Sequence, residues 1–95
     1  MNTLNNNYKD VIKEGNVAIY VSATWCGPCR MFGPVVEKVS NSFNIWKADA
    51  DSEVDLCQDF SIRSVPTVLF FKDGELIKSK IGALSESQLT KEMDY

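Results

Sequence analysis

Apolar residues recur along this chain at two spacings, and the switches between them mark out the elements. Tyr8, Val11 and Ile12 fall at i, i+3 and i+4, the spacing of one helical face, with Asn7 placed as its cap and Gly15 as its stop. Val17–Ser22 follows as a short apolar run rich in β-branched residues, which predicts a strand buried on both faces. Beyond Trp25-Cys26-Gly27-Pro28-Cys29, the residues Phe32, Val35, Val36, Val39 and Phe43 share a helical face and predict a helix from Gly27 to Phe43. Pro34 lies inside that helix, where its ring removes one hydrogen bond and crowds the Arg30 carbonyl, so a kink is expected. Ile45–Asp49 predicts a further strand, and Glu53–Phe60 a shorter helix capped by Ser52.

Thr67–Lys72 and Glu75–Lys80 flank Asp73-Gly74, a pair that supplies the positive φ angles of a tight hairpin turn. Ser85 and Gln88 form a capping box, with Leu84 and Leu89 spaced as its hydrophobic staple, and start a helix that runs to Met93. The order is therefore α, β, α, β, α, β-hairpin, α. Strands separated by helices imply right-handed parallel crossovers, and the hairpin adds an antiparallel portion. This is an α/β chain with a central mixed sheet of four to five strands flanked by about four helices. Residues 2–4 are the candidate for a fifth, short strand at an edge. No linker or repeat divides the chain, so residues 1–95 are read as one domain.

Composition changes this picture mainly by exclusion. The 95 residues contain no histidine, which removes Ser-His-Asp and Cys-His catalysis and all imidazole metal sites. Ten basic against thirteen acidic residues leave a net charge of −3, a poor match for nucleic acid or an anionic membrane. No apolar run approaches the ~20 residues that span a bilayer. Met1–Asn7 carries neither a basic region nor an apolar core, so no secretory signal is expected and a cytoplasmic location is.

The remaining candidate chemistry is Cys26-x-x-Cys29, which follows a buried strand and opens a helix. At a helix N-terminus the unpaired N–H groups and the macrodipole favour negative charge, and the thiolate is the nucleophile of sulfur chemistry. One helical turn brings Cys29 within disulfide range of Cys26, and Pro28 stiffens that turn. The implied reaction is thiol–disulfide exchange: Cys26 attacks a substrate disulfide and Cys29 resolves the mixed disulfide. Half of a zinc site is the competing reading, but tetrahedral zinc needs four ligands and only Cys57 remains as a third sulfur.

The segment Trp25-Cys26-Gly27-Pro28-Cys29-Arg30-Met31 resembles the active-site motif of the thioredoxins. Val65-Pro66-Thr67 resembles the family's cis-proline loop, Lys72-Asp73-Gly74 its hairpin turn, Ile81-Gly82-Ala83-Leu84 its last glycine segment and Pro34 its kink proline. The resemblance runs from Tyr8 to Met93 with every part in order. It implies the thioredoxin fold and a protein-disulfide reductase with Cys26 as attacking and Cys29 as resolving thiol. It also implies a cis peptide bond at Pro66, and an apolar docking surface of Trp25, Gly27, Pro28, Val65, Pro66, Gly82 and Ala83. No bound cofactor is implied beyond the redox-active Cys26–Cys29 disulfide. The implied partners are protein disulfides and an NADPH-dependent thioredoxin reductase as electron donor, with the chain itself a monomer. The alternative is a thioredoxin-fold subunit that binds a partner without using its thiols.

Two positions depart from the family pattern. Tyr20 stands where the family places a buried aspartate, six residues before the first cysteine, and tyrosine is a poor base at pH 7. The family's partner lysine is kept as Lys47, which either turns outward to Asp49 or Asp51 or stays by the thiols and favours thiolate. Ser22 replaces a common aromatic residue. Elsewhere, Cys57 is read as a small core residue, and Trp46 with Phe70-Phe71 as strand residues facing the core and a helix. Asp49, Asp51, Glu53, Asp55 and Asp59 are read as a solvated face, and Lys78 and Lys80 as outward edge-strand charges.

Overall fold

In the computed structural model, which describes residues 1–95, the apolar run Val17–Ser22 becomes the middle strand of a five-stranded sheet. The elements in chain order are β1 (Asn2–Thr3), α1 (Tyr8–Val11), β2 (Asn16–Ser22), α2 (Gly27–Val39) and β3 (Ile45–Asp49). They continue with α3 (Val54–Asp59), β4 (Thr67–Lys72), β5 (Glu75–Ile81) and α4 (Glu86–Glu92). The strands lie in the order β1-β3-β2-β4-β5. β3 runs parallel to β1 and β2, whereas β4 is antiparallel to β2 and β5. This is the mixed sheet that the element order predicts.

Successive side chains of a strand point to opposite faces, so β2 feeds two cores. Ala18 and Tyr20 pack with Phe32, Val36 and Val39 of α2 and Leu89 of α4. Ile19 and Val21 pack on the other face with Leu4, Tyr8, Ile12 and Leu56. β4 divides in the same way, Val68 and Phe70 joining the first core and Leu69 and Phe71 the second. A strand covered on both faces needs no polar alternation, which is why β2 reads as a continuous apolar run.

Local signals with short reach appear where expected. Asp73 and Gly74 both take positive φ, 49° and 88°, and close the β4–β5 hairpin. The capping box is complete: the Gln88 amide donates to Ser85 Oγ and the Ser85 amide donates to Gln88 Oε1. Leu89 is buried and Leu84 packs against the same core.

Several boundaries differ from the expectation. α2 passes through Pro34 but stops at Val39, four residues early. The Ser40 side chain competes for a backbone acceptor, its Oγ donating to the Glu37 carbonyl at 2.6 Å, and the chain leaves through tight turns in which the Asn41 and Ser42 amides donate to the Lys38 and Val39 carbonyls. Phe43 still reaches the α2-side core from outside the helix. Asn7 does not cap α1, because its side chain accepts from the Asn5 amide instead. Glu53, not Ser52, stands at the cap position of α3, and its buried carboxylate accepts the Asn6 amide at 3.0 Å. Lys78 and Lys80 are not free edge charges: both reach Glu92 of α4, at 3.0 and 3.9 Å, and Lys78 lies over the Phe70 and Tyr95 rings. Trp46 is half-buried and donates to Asn44 Oδ1.

Candidate active site

β2 ends at Ser22, and the turn Ala23–Trp25 delivers Cys26 to the N-cap position of α2 in an extended conformation. The Cys29 amide donates to Cys26 Sγ at 3.2 Å, so the first cysteine is itself the helix cap. Pro28, in the first turn, gives up an amide that has no helical partner there. Cys26 and Cys29 are joined as a disulfide with Cα atoms 5.3 Å apart. The two are 4% and 6% exposed, packed with Ala23 and Val65.

The loop before β4 closes over this pair. The Val65–Pro66 peptide bond is cis, and the Val65 carbonyl oxygen lies 3.7 Å from Cys26 Sγ. Thr67 Oγ1 donates to the Ser64 carbonyl at 2.7 Å and the Gly82 amide donates to the Pro66 carbonyl at 2.8 Å, tying the loop to the end of β5. Gly82 has φ +95, a conformation that disfavours any side chain. The sequence-predicted surface residues lie on three stretches of chain, of which 65–66 meets the cysteines and is tied to 82–83 by the Gly82 amide. Trp25, Gly27, Pro28 and Ala83 are exposed, Val65 and Gly82 half-buried, and Pro66 buried. Ile81, beside Gly82, is 73% exposed, an apolar side chain that the sequence places in the glycine segment but not among the docking residues.

Trp25 is 67% exposed, yet its indole Nε1 donates to Asp51 Oδ2 at 3.0 Å. Asp51 in turn donates its amide to Asp49 Oδ1 at 2.9 Å. The acidic stretch is therefore no uniform solvated face. Asp51 orients the tryptophan, Glu53 is buried, and Asp59 accepts from the Tyr8 hydroxyl. Tyr8's pKa is pushed up to about 12 by burial and by that carboxylate.

Tyr20 is 2% exposed beneath the site, its ring edge-on to Phe32 at 5.5 Å. Its hydroxyl donates to the Cys29 carbonyl oxygen at 3.2 Å, touching the backbone of the second cysteine. Burial raises its pKa. Lys47, its register partner on β3, is exposed and has no carboxylate within 4.0 Å, so it does not turn to Asp49 or Asp51. Tyr20, Ser22, Cys29, Arg30, Lys47 and Asp49 are among the residues lining a cavity of about 640 Å³. Ser22, 5% exposed, contributes a small buried hydroxyl side chain to that wall. No group of three or more acidic, cysteine or histidine side chains is placed to hold a metal ion. Cys57 is half-buried with Sγ 3.8 Å from the Ala50 carbonyl oxygen, and burial, then Glu53, Asp49 and Asp51, raise its thiol pKa.

The family model for Thioredoxin matches residues 1–95. A thioredoxin from Pseudomonas aeruginosa is 37% identical over 91 residues, covering 90% of this chain and 84% of that protein. The chloroplastic M-type thioredoxin of Spinacia oleracea is 37% identical over 89 residues; the match covers 87% of this chain and 49% of the spinach protein's length. The crystal structure of a Malassezia sympodialis thioredoxin superposes with a TM-score of 0.86 at 35% identity, over 97% of this chain and 88% of that one.

Proposed function

The chain belongs to the thioredoxin family and is a thiol–disulfide oxidoreductase, and from that premise we propose that Cys26 attacks protein disulfides and Cys29 resolves the product. The observation that carries the assignment is the bond from the Cys29 amide to Cys26 Sγ at the head of a 13-residue helix. A thiolate on Cys26 gains that donor and the positive end of the helix dipole, which lowers the proton affinity of its sulfur. Cys29 lies one turn in, behind the first sulfur.

In the reduced protein the Cys26 thiolate attacks one sulfur of a substrate disulfide. A mixed disulfide forms and the first substrate thiolate leaves, to take up a proton. Cys29 then loses its proton and attacks Cys26 Sγ, releasing the second substrate thiolate and leaving the Cys26–Cys29 disulfide. Two electrons pass from the dithiol to the substrate. Trp25, Gly27, Pro28, Val65, Pro66, Gly82 and Ala83 form the docking rim in this reading. The Val65 carbonyl, beside Cys26 Sγ, offers an acceptor to an extended substrate backbone. Tyr20 and Lys47 modulate the resolving side.

Members of the family reduce protein disulfides and are recharged by thioredoxin reductase. The proposal gives this chain an NADPH-dependent reductase of that kind as donor, and holds residues 1–95 to act as one monomeric domain. It extends to the cytoplasm, where dithiols are kept reduced. No helix is long and apolar enough to cross a membrane.

The test is reduction of a disulfide-bonded protein with dithiothreitol as terminal reductant. The native chain turns over, Cys26→Ser is inactive, and Cys29→Ser performs the first attack and accumulates as a mixed disulfide. Turnover by Cys26→Ser overturns the assignment. A partner-binding subunit would keep its effect with both cysteines replaced by serine.

A further inference from the structure

Resolution sets a chemical demand that the residues around Cys29 must meet: its thiol has to lose a proton before the sulfur can attack Cys26. Tyr20, whose hydroxyl touches the Cys29 backbone, does not accept that proton. Its hydroxyl is already a donor to the Cys29 carbonyl, and burial keeps the phenol neutral. The strand register supplies another group. Tyr20 and Ser22 of β2 pair with Lys47 and Asp49 of β3, and directly opposed residues share a face. Tyr20 and Ile45 lie in the α2-side core, so Lys47 and Asp49, two and four residues after Ile45, point to the same side. All four meet Cys29 in the wall of the 640 Å³ cavity. That volume is far above the ~30 Å³ share of one water molecule, and polar atoms line it from several elements.

Resting on the assignment of Cys29 as the resolving thiol, we propose that Asp49 is the proton acceptor for Cys29, acting through water in this cavity. Asp49 Oδ1 is engaged by the Asp51 amide, which fixes the side chain and leaves Oδ2 for the cavity. Ser22, opposite Asp49 in the register, lines the same cavity with a small polar side chain. During resolution the Cys29 proton passes by way of water to the Asp49 carboxylate. The Cys29 thiolate then forms the bond to Cys26 Sγ as the bond from Cys26 to the substrate sulfur breaks. The departing substrate thiolate takes a proton from the solvent, and Asp49 returns its own to solvent.

Other charged groups face the same space. Lys47 from β3 and Arg30 from α2 are the cationic side chains in the wall. Glu37 of α2 is a second carboxylate, but it is held by the Met1 ammonium at 3.0 Å. It also stands eight residues beyond Cys29, roughly 12 Å along the helix axis. Asp51 is turned away, bound to the Trp25 indole.

The experiment follows the second half-reaction alone. Cys26 is loaded as its mixed disulfide with thionitrobenzoate, and release of the coloured thiol by Cys29 is timed by stopped flow from pH 6 to 9. Asp49→Asn keeps an oxygen for the Asp51 amide but cannot take a proton. General-base assistance is worth ~10²–10⁴ when direct, and less through water and to a weak base. Asp49→Asn is therefore expected to slow release by about tenfold at pH 6 to 7. The gap should close by pH 9, where the thiol ionises unaided. Asp49→Glu should keep most of the native rate and Glu37→Gln all of it. Equal rates for native and Asp49→Asn at low pH overturn the inference while leaving the Cys26 and Cys29 roles standing. So does a slowing that is uniform across pH. Absence of any release from the native chain overturns the thiol assignment itself, and the inference with it.

Discussion

Replacing Tyr20 by phenylalanine separates two roles the ring could have under the site, filling space and handling a proton. The ring stays, with its edge-on contact to Phe32 at 5.5 Å, and only the hydroxyl is lost. That hydroxyl donates one bond, to the Cys29 carbonyl at 3.2 Å, at the long end for an O–H donor. The carbonyl sits in the second half of the first turn of α2 and keeps its place in the helical ladder, so no acceptor is left orphaned. A net hydrogen bond is worth ~0.5–1.5 kcal/mol, and this one belongs in the lower half of that range. At ~4–8 °C per kcal/mol for a domain of this size, the melting temperature should fall by about 2–8 °C. The urea midpoint should fall with it at unchanged slope, because the packed surface is the same.

The kinetic expectation is sharper. Burial raises the Tyr20 pKa above its ordinary value of 10.0, so the phenol is neutral from pH 6 to 9 and takes no proton from a thiol. Release of thionitrobenzoate from Cys26 should therefore stay within about twofold of native at every pH, under ~0.5 kcal/mol in barrier. A selective loss of the low-pH rate in Tyr20→Phe, without a matching loss of stability, refutes this reasoning. It would put the phenol in the proton path and Asp49 out of it.

Two further outcomes test the frame that holds the site. Ser85→Ala removes half of the capping box at the start of α4, with an expected cost of ~1 kcal/mol and a melting temperature lower by ~4–8 °C, leaving disulfide reduction unchanged. High pH should unfold the chain through its tyrosines. Tyr8 is pushed up to about 12, and Tyr20 and Tyr95 are also raised by burial. The unfolded chain releases these protons near 10 while the folded one holds them, so stability is full below pH 10 and falls as pH rises toward 12. A urea midpoint that stays level between pH 9 and 11.5 contradicts this.

What the sequence disclosed and what it withheld divide by the reach of the interaction. Cys26 and Cys29, Asp73-Gly74 and the Ser85–Gln88 box each complete their geometry within four residues, so spacing alone carried them. The two-faced burial of β2 was equally legible, since it needs only an unbroken apolar run. Two failures differ in kind. Asn7 lost its cap role to a competing local donor, the Asn5 amide two residues away, whereas Glu53 went inward to meet the Asn6 amide, 47 residues away in sequence. Asp49, Asp51 and Asp59 read as one solvated run because nothing local separates them. In the fold one faces a cavity, one holds Trp25 and one takes the Tyr8 hydroxyl.

The same distinction bears on how a reductase of this family works with Tyr20 under its dithiol. Reactivity at Cys26 is local, made by one helix turn, and it came through in the sequence intact. Removing the proton from Cys29 depends on which β3 residue lies opposite Ser22, a question of register between strands 23 residues apart at their closest. The register puts Asp49 there, on the same face as Tyr20 and in the same cavity wall as Cys29. On the reading proposed above, the carboxylate absent from β2 is supplied by the neighbouring strand, across a cavity that Ser22 also lines. Resolution by Cys29 then turns on Asp49 and not on the Tyr20 hydroxyl.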